Sequence, residues 1–529
     1  MEPDALIEAL SDPAAYEPRP DRVEVRQTHI SIVFLAGDHV YKVKRPVRLT
    51  FLDYGTSELR RHFCEEEVRL NRRLAPGVYR GVVPIAREGS GLKMGGAGEA
   101  VDWAVEMERL PEEATLQSMI ERGEVAPGLI TELGRRIAAF HAAAERSDRV
   151  HALSRPENLA RTVRQNLDEA AAEVGQTVSA SVFERLRALT LASLEALRPC
   201  LESRWERGLP CDGHGDLRPG HVYFLPARRP PGDITIVDAI EFNEGFRATD
   251  PVADMGFLFM ELTARGRDDL ARGFRDAYVS ASGDHEASRL LPLFVAYRAA
   301  VRAKVGGLKA RAPGVPEEER TAARRRARGY WLVALGALEG PAARPCLVLV
   351  SGLPGTGKST LSRALAGRAG FAVVRSDEVR KELFRERPGE GCRAGFEEGI
   401  YSPEWTDQVY RACLDRAEAA LFEGRRVVVD ATFRAEAWRR AFLDLASRYA
   451  VPSVVFHCRA DAEIVRARLA ARSGDPSDAG LEVYCRAASD WQPFSEASLR
   501  KVVTIDTGGD SSESVPEALG RLRQAGLAP

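Results

Sequence analysis

Cys346-Leu347-Val348-Leu349-Val350-Ser351-Gly352-Leu353-Pro354-Gly355-Thr356-Gly357-Lys358-Ser359-Thr360 decides the fold of the last third of the chain. The apolar run from Cys346 to Val350 has the length of a buried strand, and a helical pattern starts at Thr360-Leu361. Between them lies a complete Walker A sequence. Gly352, Gly355 and Gly357 let backbone N–H groups, with that of Thr356, turn inward around phosphate oxygens. Lys358 reaches the outer phosphates, Ser359 supplies a hydroxyl for Mg²⁺, and Thr360 opens a helix whose N-terminus favours anions. ATP and Mg²⁺ are the expected cofactors.

Working outward, Phe371 to Arg375 reads as a second strand, delivering Ser376-Asp377-Glu378-Val379-Arg380 to the same sheet edge as the phosphate loop. Asp377 is either a helix cap or the base that takes a proton from an acceptor hydroxyl, with Arg380 one turn on to hold an acceptor anion. A third strand from Arg426 ends at Asp430-Ala431-Thr432, where an acid orders the Mg²⁺ water shell. Further strands are expected at Val454 to His457 and Val502 to Ile505, and their alternation with helices argues for a mostly parallel α/β sheet. Arg468 and Arg472, four apart on one helix face ahead of the polar segment Ser473 to Ala479, suit a phosphate-clamping lid. A solvated arginine face is the simpler alternative.

From Pro345 to Pro529 these residues resemble the P-loop kinases, especially the branch of polynucleotide, zeta-toxin and gluconate-type kinases. An AAA-family label would be looser, because no second region or sensor arginine of hexameric machines is evident. The resemblance implies transfer of the ATP γ-phosphoryl group to a hydroxyl, with Lys358, Asp377 and Arg472 catalytic and Arg468 on the nucleotide.

The preceding part of the chain is organised differently. Strand-like alternation runs through Ile30 to Leu35 and Val40 to Val43 around Gly37-Asp38, a hairpin signal, and returns at Gly81 to Ile85 and Trp103 to Met107. Thr56 to Leu74 has a helical period, with Leu59, Phe63, Leu70 and Leu74 on the apolar side. Glu67 borders that side and would be costly to bury without a cation, which Lys42 on the preceding strand could provide. Lys44 shares the face of Lys42, and Glu66 is nearly as well placed as Glu67, so each assignment stays open by one neighbour. After Leu110-Pro111 the pattern is mostly helical, interrupted between Cys211 and Val237.

That interruption carries His214-Gly215-Asp216-Leu217-Arg218-Pro219-Gly220-His221, then Ile234-Thr235-Ile236-Val237-Asp238. In kinase catalytic loops an Asp orients the acceptor hydroxyl, a metal ligand follows five residues later, and an Asp after a short strand holds Mg²⁺. Asp216, His221 and Asp238 stand at those places. Neutral imidazole is a poor Mg²⁺ ligand, so the metal would lean on Asp238 and water, or the site is weakened.

Residues Arg26 to Arg311 resemble the aminoglycoside phosphotransferase-like kinases in the order of these elements, with Asp250-Pro251 and Asp254 following. The resemblance implies that Lys42 and Glu67 serve the nucleotide, Thr28 and Ser31 approach its phosphates, Met107 to Pro111 hold adenine, and Asp254 is structural. The combination, including Phe51-Leu52-Asp53-Tyr54 and Glu241-Phe242-Asn243, resembles a bacterial group of fused phosphotransferase-like and ATP-binding proteins.

The expected architecture is an α+β protein-kinase-like bilobal domain followed by an α/β P-loop domain. The first covers residues 1–340, with a small lobe 1–108 and a helical lobe 109–340. The second covers 341–529, after a linker at Gly340-Pro341-Ala342-Ala343-Arg344-Pro345. A length of 529 residues supports several domains, and 44% hydrophobic with 29% charged residues is ordinary globular composition. A net charge of −2 demands no polyanionic partner. No run approaches the ~20 apolar residues of a membrane span. The acidic, proline-containing start lacks a secretory pattern, and the eight cysteines form no CxxC pair, so a cytoplasmic protein with reduced thiols is expected. Arg324 to Arg328 reads as a solvated helix face.

The leading expectation is two ATP-dependent phosphotransferase sites acting on hydroxyl acceptors, with small molecules favoured. The alternatives are an N-terminal ligand sensor regulating a C-terminal kinase, and a nucleic-acid end kinase. The last is disfavoured because no basic stretch is interleaved with aromatics that would stack bases.

Overall fold

In the computed structural model, which describes residues 3–49, 52–89, 91–385, 402–471 and 481–528, the alternating stretch near the start forms an antiparallel meander. Its strands are β1 (Val23–Gln27), β2 (Ser31–Ala36) and β3 (His39–Lys44). A helix, α1 (Ser57–Asn71), precedes β4 (Tyr79–Glu88), β5 (Gly91–Met94) and β6 (Glu99–Glu108). The six strands pair in the order β1-β2-β3-β6-β4-β5, all antiparallel. One face is closed by Leu6 and Leu10 of an N-terminal helix, packed with Phe34, Val43, Ile85 and Ala104. On the other, Cys64 and Val68 of α1 meet Tyr79, Val105 and Val237.

The inner side of α1 differs from the apolar stripe expected of it. Arg60, Cys64, Glu67, Val68, Leu70 and Asn71 are buried, whereas Leu59 and Phe63 are only half-buried. Polar anchoring turns the helix: Arg60 Nε donates to Asp102 Oδ1 at 2.9 Å, and Glu67 receives two lysines. Buried charge is tolerated because each group is paired.

The chain forms two compact units. One comprises Met1–Arg161, Leu197–Leu262 and Asp268–Phe294; the other comprises Thr162–Ala196, Thr263–Arg267 and Val295–Pro529. In the first, the helix Pro127–Ala143 packs on Asp268–Ser282 at Gly134, which lies against Phe274 and Ala277. A short hairpin of β7 (Val222–Phe224) and β8 (Ile234–Ile236) completes it.

The second unit is built on β9 (Cys346–Ser351), β10 (Ala372–Arg375), β11 (Arg426–Asp430), β12 (Ser453–Arg459) and β13 (Val502–Asp506). They form a parallel sheet in the order β10-β11-β9-β12-β13. Strand β9 is buried along its whole length, which accounts for its unbroken apolar run. Helices α2 (Lys358–Ala369) and α3 (Ser511–Gln524) cover one face through Leu361, Leu365, Val515 and Leu522. The first strand sits centrally and the next two lie to one side of it, so the chain switches direction beside β9, the place where open α/β sheets bind ligands at the carboxyl ends of their strands.

Helical segments that precede Gly340 also belong to this unit, anchored by Trp331, which is fully buried and donates from Nε1 to Thr177 Oγ1 at 3.0 Å. The Gly340–Pro345 connection lies within the unit as well, where Arg426 donates to Pro341 O at 2.9 Å and to Ala342 O. No described helix is long and apolar enough to cross a membrane.

Candidate functional site

In the second unit the loop after β9 is shaped by its glycines. Gly352 and Gly357 have φ of 148° and 86°, which disfavour side chains, and a Cβ on Gly352 would lie 2.6 Å from Cys458 O. Thr356 Oγ1 donates to Leu353 O at 2.7 Å, and Lys358 Nζ folds back on the same carbonyl at 2.8 Å. Ser359 and the exposed Thr360 follow in the first turn of α2.

Asp430 ends β11, in parallel register with Val350 at the end of β9. Its carboxylate is 4% exposed, hydrogen-bonded to the Ser359 side chain, and its Oδ2 lies 3.4 Å from Arg375 Nε. Burial pushes its pKa above the usual carboxylate value, against the pull of Lys358, Ser359 and Arg375. Asp377 opens the helix after β10 and is near enough for its charge to oppose ionisation of Asp430. The charges of Lys358 and Asp377 thus both act on the buried Asp430 carboxylate, which Ser359 hydrogen-bonds, and a hydroxyl beside a carboxylate is the hard-oxygen donor set that Mg²⁺ takes.

Arg468 sits beside the loop but spends its guanidinium on backbone: Nη1 donates to Thr507 O at 2.7 Å, and Nη2 to Gly508 O at 3.1 Å and Gly509 O at 3.3 Å. Thr507 in turn donates from Oγ1 to Thr356 O at 2.5 Å. Arg468 therefore buttresses the phosphate loop from the end of β13. Arg472 and Ser473 to Ala479 lie outside the described residues.

In the first unit, Glu67 is fully buried and receives both candidate lysines: Lys42 Nζ at 2.8 Å on Oε1 and Lys44 Nζ at 2.7 Å on Oε2. Lys42 also donates to Asp238 Oδ1 at 2.6 Å, whereas Lys44 donates to Glu241, which accepts from Tyr54 OH at 2.5 Å. Burial would lower both lysine pKa values, but Asp238, Glu241 and Glu67 raise them well above normal. Glu66 instead pairs with Arg69 at 2.6 Å on the outside of α1.

The loop at Asp216 is held from behind. Asp254 accepts from the backbone N–H of His214 at 2.5 Å and of Gly215 at 2.8 Å, and His214 Nε2 lies 3.0 Å from Val237 O. The β7–β8 hairpin pairs Val222 with Ile236, so His221 stands beside Val237 and Val237 N donates to His221 O at 3.0 Å. Asp238 follows with φ of 67°, a strained conformation for a non-glycine residue. It is secured by Tyr79 OH, which accepts from Asp238 N at 3.1 Å, and Asn71 Oδ1, which accepts from Ala239 N at 2.8 Å. Burial works against ionisation of Asp238, yet Lys42 and then His221 hold its pKa far below normal.

Asp216, His221 and Asp238 consequently converge, with one ligand atom from each within 4.8 Å of the others. Arg218 lies among them, donating from Nε to Asp216 Oδ2 at 2.9 Å. Burial, followed by the Arg218 charge, lowers the His221 pKa to about 4, so its imidazole is neutral near pH 7. The two flanking elements are placed as follows: Thr28 Oγ1 accepts from Ser31 N at 2.9 Å in the β1–β2 turn, and Arg109 N of the Met107–Pro111 segment donates to Asp38 O at 2.8 Å.

Uncharacterized proteins of Mycobacterium tuberculosis and Mycobacterium bovis are 31% identical to this chain over 506 residues, 95% of it and 96% of each of them. The chain belongs to their family. Within it, the AAA domain model matches residues 347–493, the P-loop α/β part. Among solved structures, a sugar kinase from Janibacter aligns at 16% identity and TM-score 0.27, covering 35% of this chain and 99% of its own. A putative kinase from Chloroflexus aurantiacus aligns at 22% identity and TM-score 0.28, covering 34% and 97%. A gluconokinase from Sinorhizobium meliloti aligns at 16% identity and TM-score 0.26, covering 34% and 94%.

Several residues of the two sites escape a linear reading. Asn71 and Tyr79 look like unremarkable helix-end and strand residues, yet they fix Asp238. Arg439 looks like one more solvated arginine. It is fully buried, and its Nη1 donates to Phe433 O at 2.8 Å while Nη2 donates to Gln492 O at 2.6 Å, joining the loop after Asp430 to a distant segment. The motifs Leu52-Asp53-Tyr54 and Glu241-Phe242-Asn243 carried a usable signal, since a tyrosine and a glutamate without nearby partners in sequence meet in the fold.

Proposed function

We propose that the protein is an ATP-dependent phosphotransferase with two kinase sites, each passing the γ-phosphoryl group to a hydroxyl acceptor, most simply a small molecule. The buried Asp430 carboxylate at the end of β11, hydrogen-bonded to Ser359 of the phosphate loop and acted on by the charges of Lys358 and Asp377, carries this reading. Lys358 and the loop N–H groups bind the phosphates, Asp377 takes the acceptor proton, and Ser359 with Asp430 holds Mg²⁺. The metal would supply charge to the phosphate oxygens. Arg380, one turn after Asp377, binds an anionic group of the acceptor.

Residues 1–340 are read as an aminoglycoside phosphotransferase-like bilobal kinase domain, and 341–529 as a P-loop kinase domain. Support for the first comes from the linked set of Lys42, Glu67, Asp216 and Asp238. Lys42 would hold the nucleotide phosphates against Glu67, Asp216 would act as base, and Asp238 would hold the metal.

One observation favours the sensor reading for this half: Arg218 occupies the Asp216 carboxylate, the group that would take the acceptor proton. The deciding experiment is an acceptor screen with γ-labelled ATP on the full chain, comparing wild type with Asp216→Asn and Asp377→Asn at low and high salt. Two independently lost activities support two kinases, whereas loss only in Asp377→Asn supports the sensor. Salt-sensitive transfer to oligonucleotides points to a nucleic-acid acceptor.

A further inference from the structure

We propose that Asp216, His221 and Asp238 bind a divalent transition ion in preference to Mg²⁺, and that the Arg218 guanidinium is the cation this ion displaces. The inference rests on reading the N-terminal half as a phosphotransferase site, and it specifies the ion that site takes, with one Asp216 oxygen on the ion and the other left to act as base.

The His221 ring is oriented as a ligand. Its Nδ1 lies 3.0 Å from the backbone carbonyl of Asp216, which can only accept, so Nδ1 carries the hydrogen. Nε2 is left with a lone pair, which accepts from Arg218 Nη2 at 2.8 Å, and Asp238 Oδ2 is 3.5 Å away. A ring N–H fixed on a backbone carbonyl is how metal-binding histidines are commonly held. Ligand atoms bound at about 2.1 Å stand roughly 3 Å apart when adjacent on one ion. A small inward shift therefore brings Nε2 and Oδ2 to that separation.

Arg218 marks where positive charge belongs. Its Nη2 lies 2.8 Å from His221 Nε2 and 2.8 Å from Asp216 Oδ2, so one cationic nitrogen already bridges two of the three groups. Exchange needs no proton transfer and breaks no covalent bond. The guanidinium swings out, its donors return to water, and the ion takes the same lone pairs with twice the charge.

The donor set decides which ion. Mg²⁺ demands hard oxygen ligands in near-ideal octahedral geometry and gains little from imidazole. Mn²⁺, Co²⁺ and later ions accept carboxylate and imidazole together, with affinity rising along the series. An oxygen donor at position 221 would suit Mg²⁺; a histidine there tilts the site away from it.

The test is Mn²⁺ titration of the nucleotide-free full chain, followed by electron paramagnetic resonance, with pulsed detection of nitrogen coupling. Wild type is expected to bind one Mn²⁺ with an imidazole nitrogen coupling, which is lost in His221→Asn together with about tenfold or more in affinity relative to Mg²⁺. The nitrogen signal should persist in Asp430→Asn, and Arg218→Gln should tighten Mn²⁺ binding severalfold. Three outcomes overturn the proposal: bound Mn²⁺ without nitrogen coupling in wild type, coupling that survives in His221→Asn, or Mg²⁺ displacing Mn²⁺ at equal concentration. Weaker Mn²⁺ binding in Arg218→Gln overturns the displacement. Because the wild-type spectrum is the primary readout, a misfolded variant does not rescue the idea. A clear metal signature without any Asp216-dependent phosphoryl transfer would instead refute the kinase reading and leave the site standing.

Discussion

The two candidate phosphate sites hold their lysines in opposite ways. Lys358 rests on the carbonyl of Leu353, a neutral group of its own loop, whereas Lys42 is clamped between two carboxylates, Glu67 and Asp238. In the first unit Lys44, Glu241 and Tyr54 extend the clamp, and Arg218 closes on Asp216. A polyphosphate arriving at the P-loop would take Lys358 from that carbonyl. At the N-terminal site it must compete with charge-assisted bonds, which are stronger, or arrive with cations that neutralise the carboxylates it frees. The comparison teaches that a backbone carbonyl positions the P-loop lysine, whereas a balance of buried side-chain charges positions Lys42.

The largest effect expected from this contrast is at Lys358. In an Asp216→Asn background, Lys358→Ala should lower acceptor-dependent ADP release by about a thousandfold, since the loop lysine stabilises charge that grows during transfer. Unchanged turnover would mean that the loop does not carry the second activity.

Next is Asp254, which anchors the backbone of the Asp216 loop. Burial raises the Asp254 carboxyl, but hydrogen bonding and charge from His141, then His214, hold it well below the ordinary carboxylate range. Its stabilising contribution is therefore complete above the unfolded carboxylate pKa and fades as pH falls toward the depressed folded value. Asp254→Asn should cost roughly 3 kcal/mol of stability at pH 7, because His214 and Gly215 lose a charged acceptor. Thermal unfolding of both proteins should show the gap narrowing below about pH 4. A gap constant with pH would assign the loss to packing.

Asp430→Asn is expected to lower turnover by about a hundredfold while changing ATP affinity much less, as suits a group acting mainly when charge develops. Equal losses in kcat and in binding would place Asp430 in ground-state recognition.

How far these sites could be read in advance follows from how they are assembled. The phosphate loop was legible because its chemistry is contiguous: strand, glycine turn, lysine and helix follow within residues 346–361. The parallel sheet was legible because buried strands are unbroken apolar runs, even though β12 extends past its expected ends. The lysine–glutamate choice was half legible. Residues 42 and 44 share a strand face, so periodicity admitted both, and in the fold both reach Glu67. The inner face of α1 was half legible: Leu70 and Leu74 are buried as their spacing implied, but Leu59 and Phe63 are only half-buried, because apolar spacing cannot register a helix held by buried ion pairs. Arg439 and Arg468 were opaque for a related reason: an arginine donating to backbone carbonyls has the same sequence signature as one in water.

The smallest predicted effect sharpens the comparison by lying one residue from the buried network. Glu66 and Arg69 form an ion pair at 2.6 Å, but Arg69 is about half exposed, and such pairs gain little over their hydrated states. The Arg69 side chain holds the Glu66 pKa below normal, and burial only partly opposes this, so Glu66 is ionised near pH 7. Glu66→Gln should therefore change stability by less than about 0.5 kcal/mol, an effect that fades further with added salt. Nucleotide affinity of the N-terminal site should stay at the wild-type value, because Lys42 and Lys44 both keep Glu67. If Glu66→Gln weakened nucleotide binding, charge around Lys42 would be set by the outer surface of α1 as well as its inner one. The distinction drawn between a backbone-poised site and one balanced by buried charges would then have to include solvent-exposed charge.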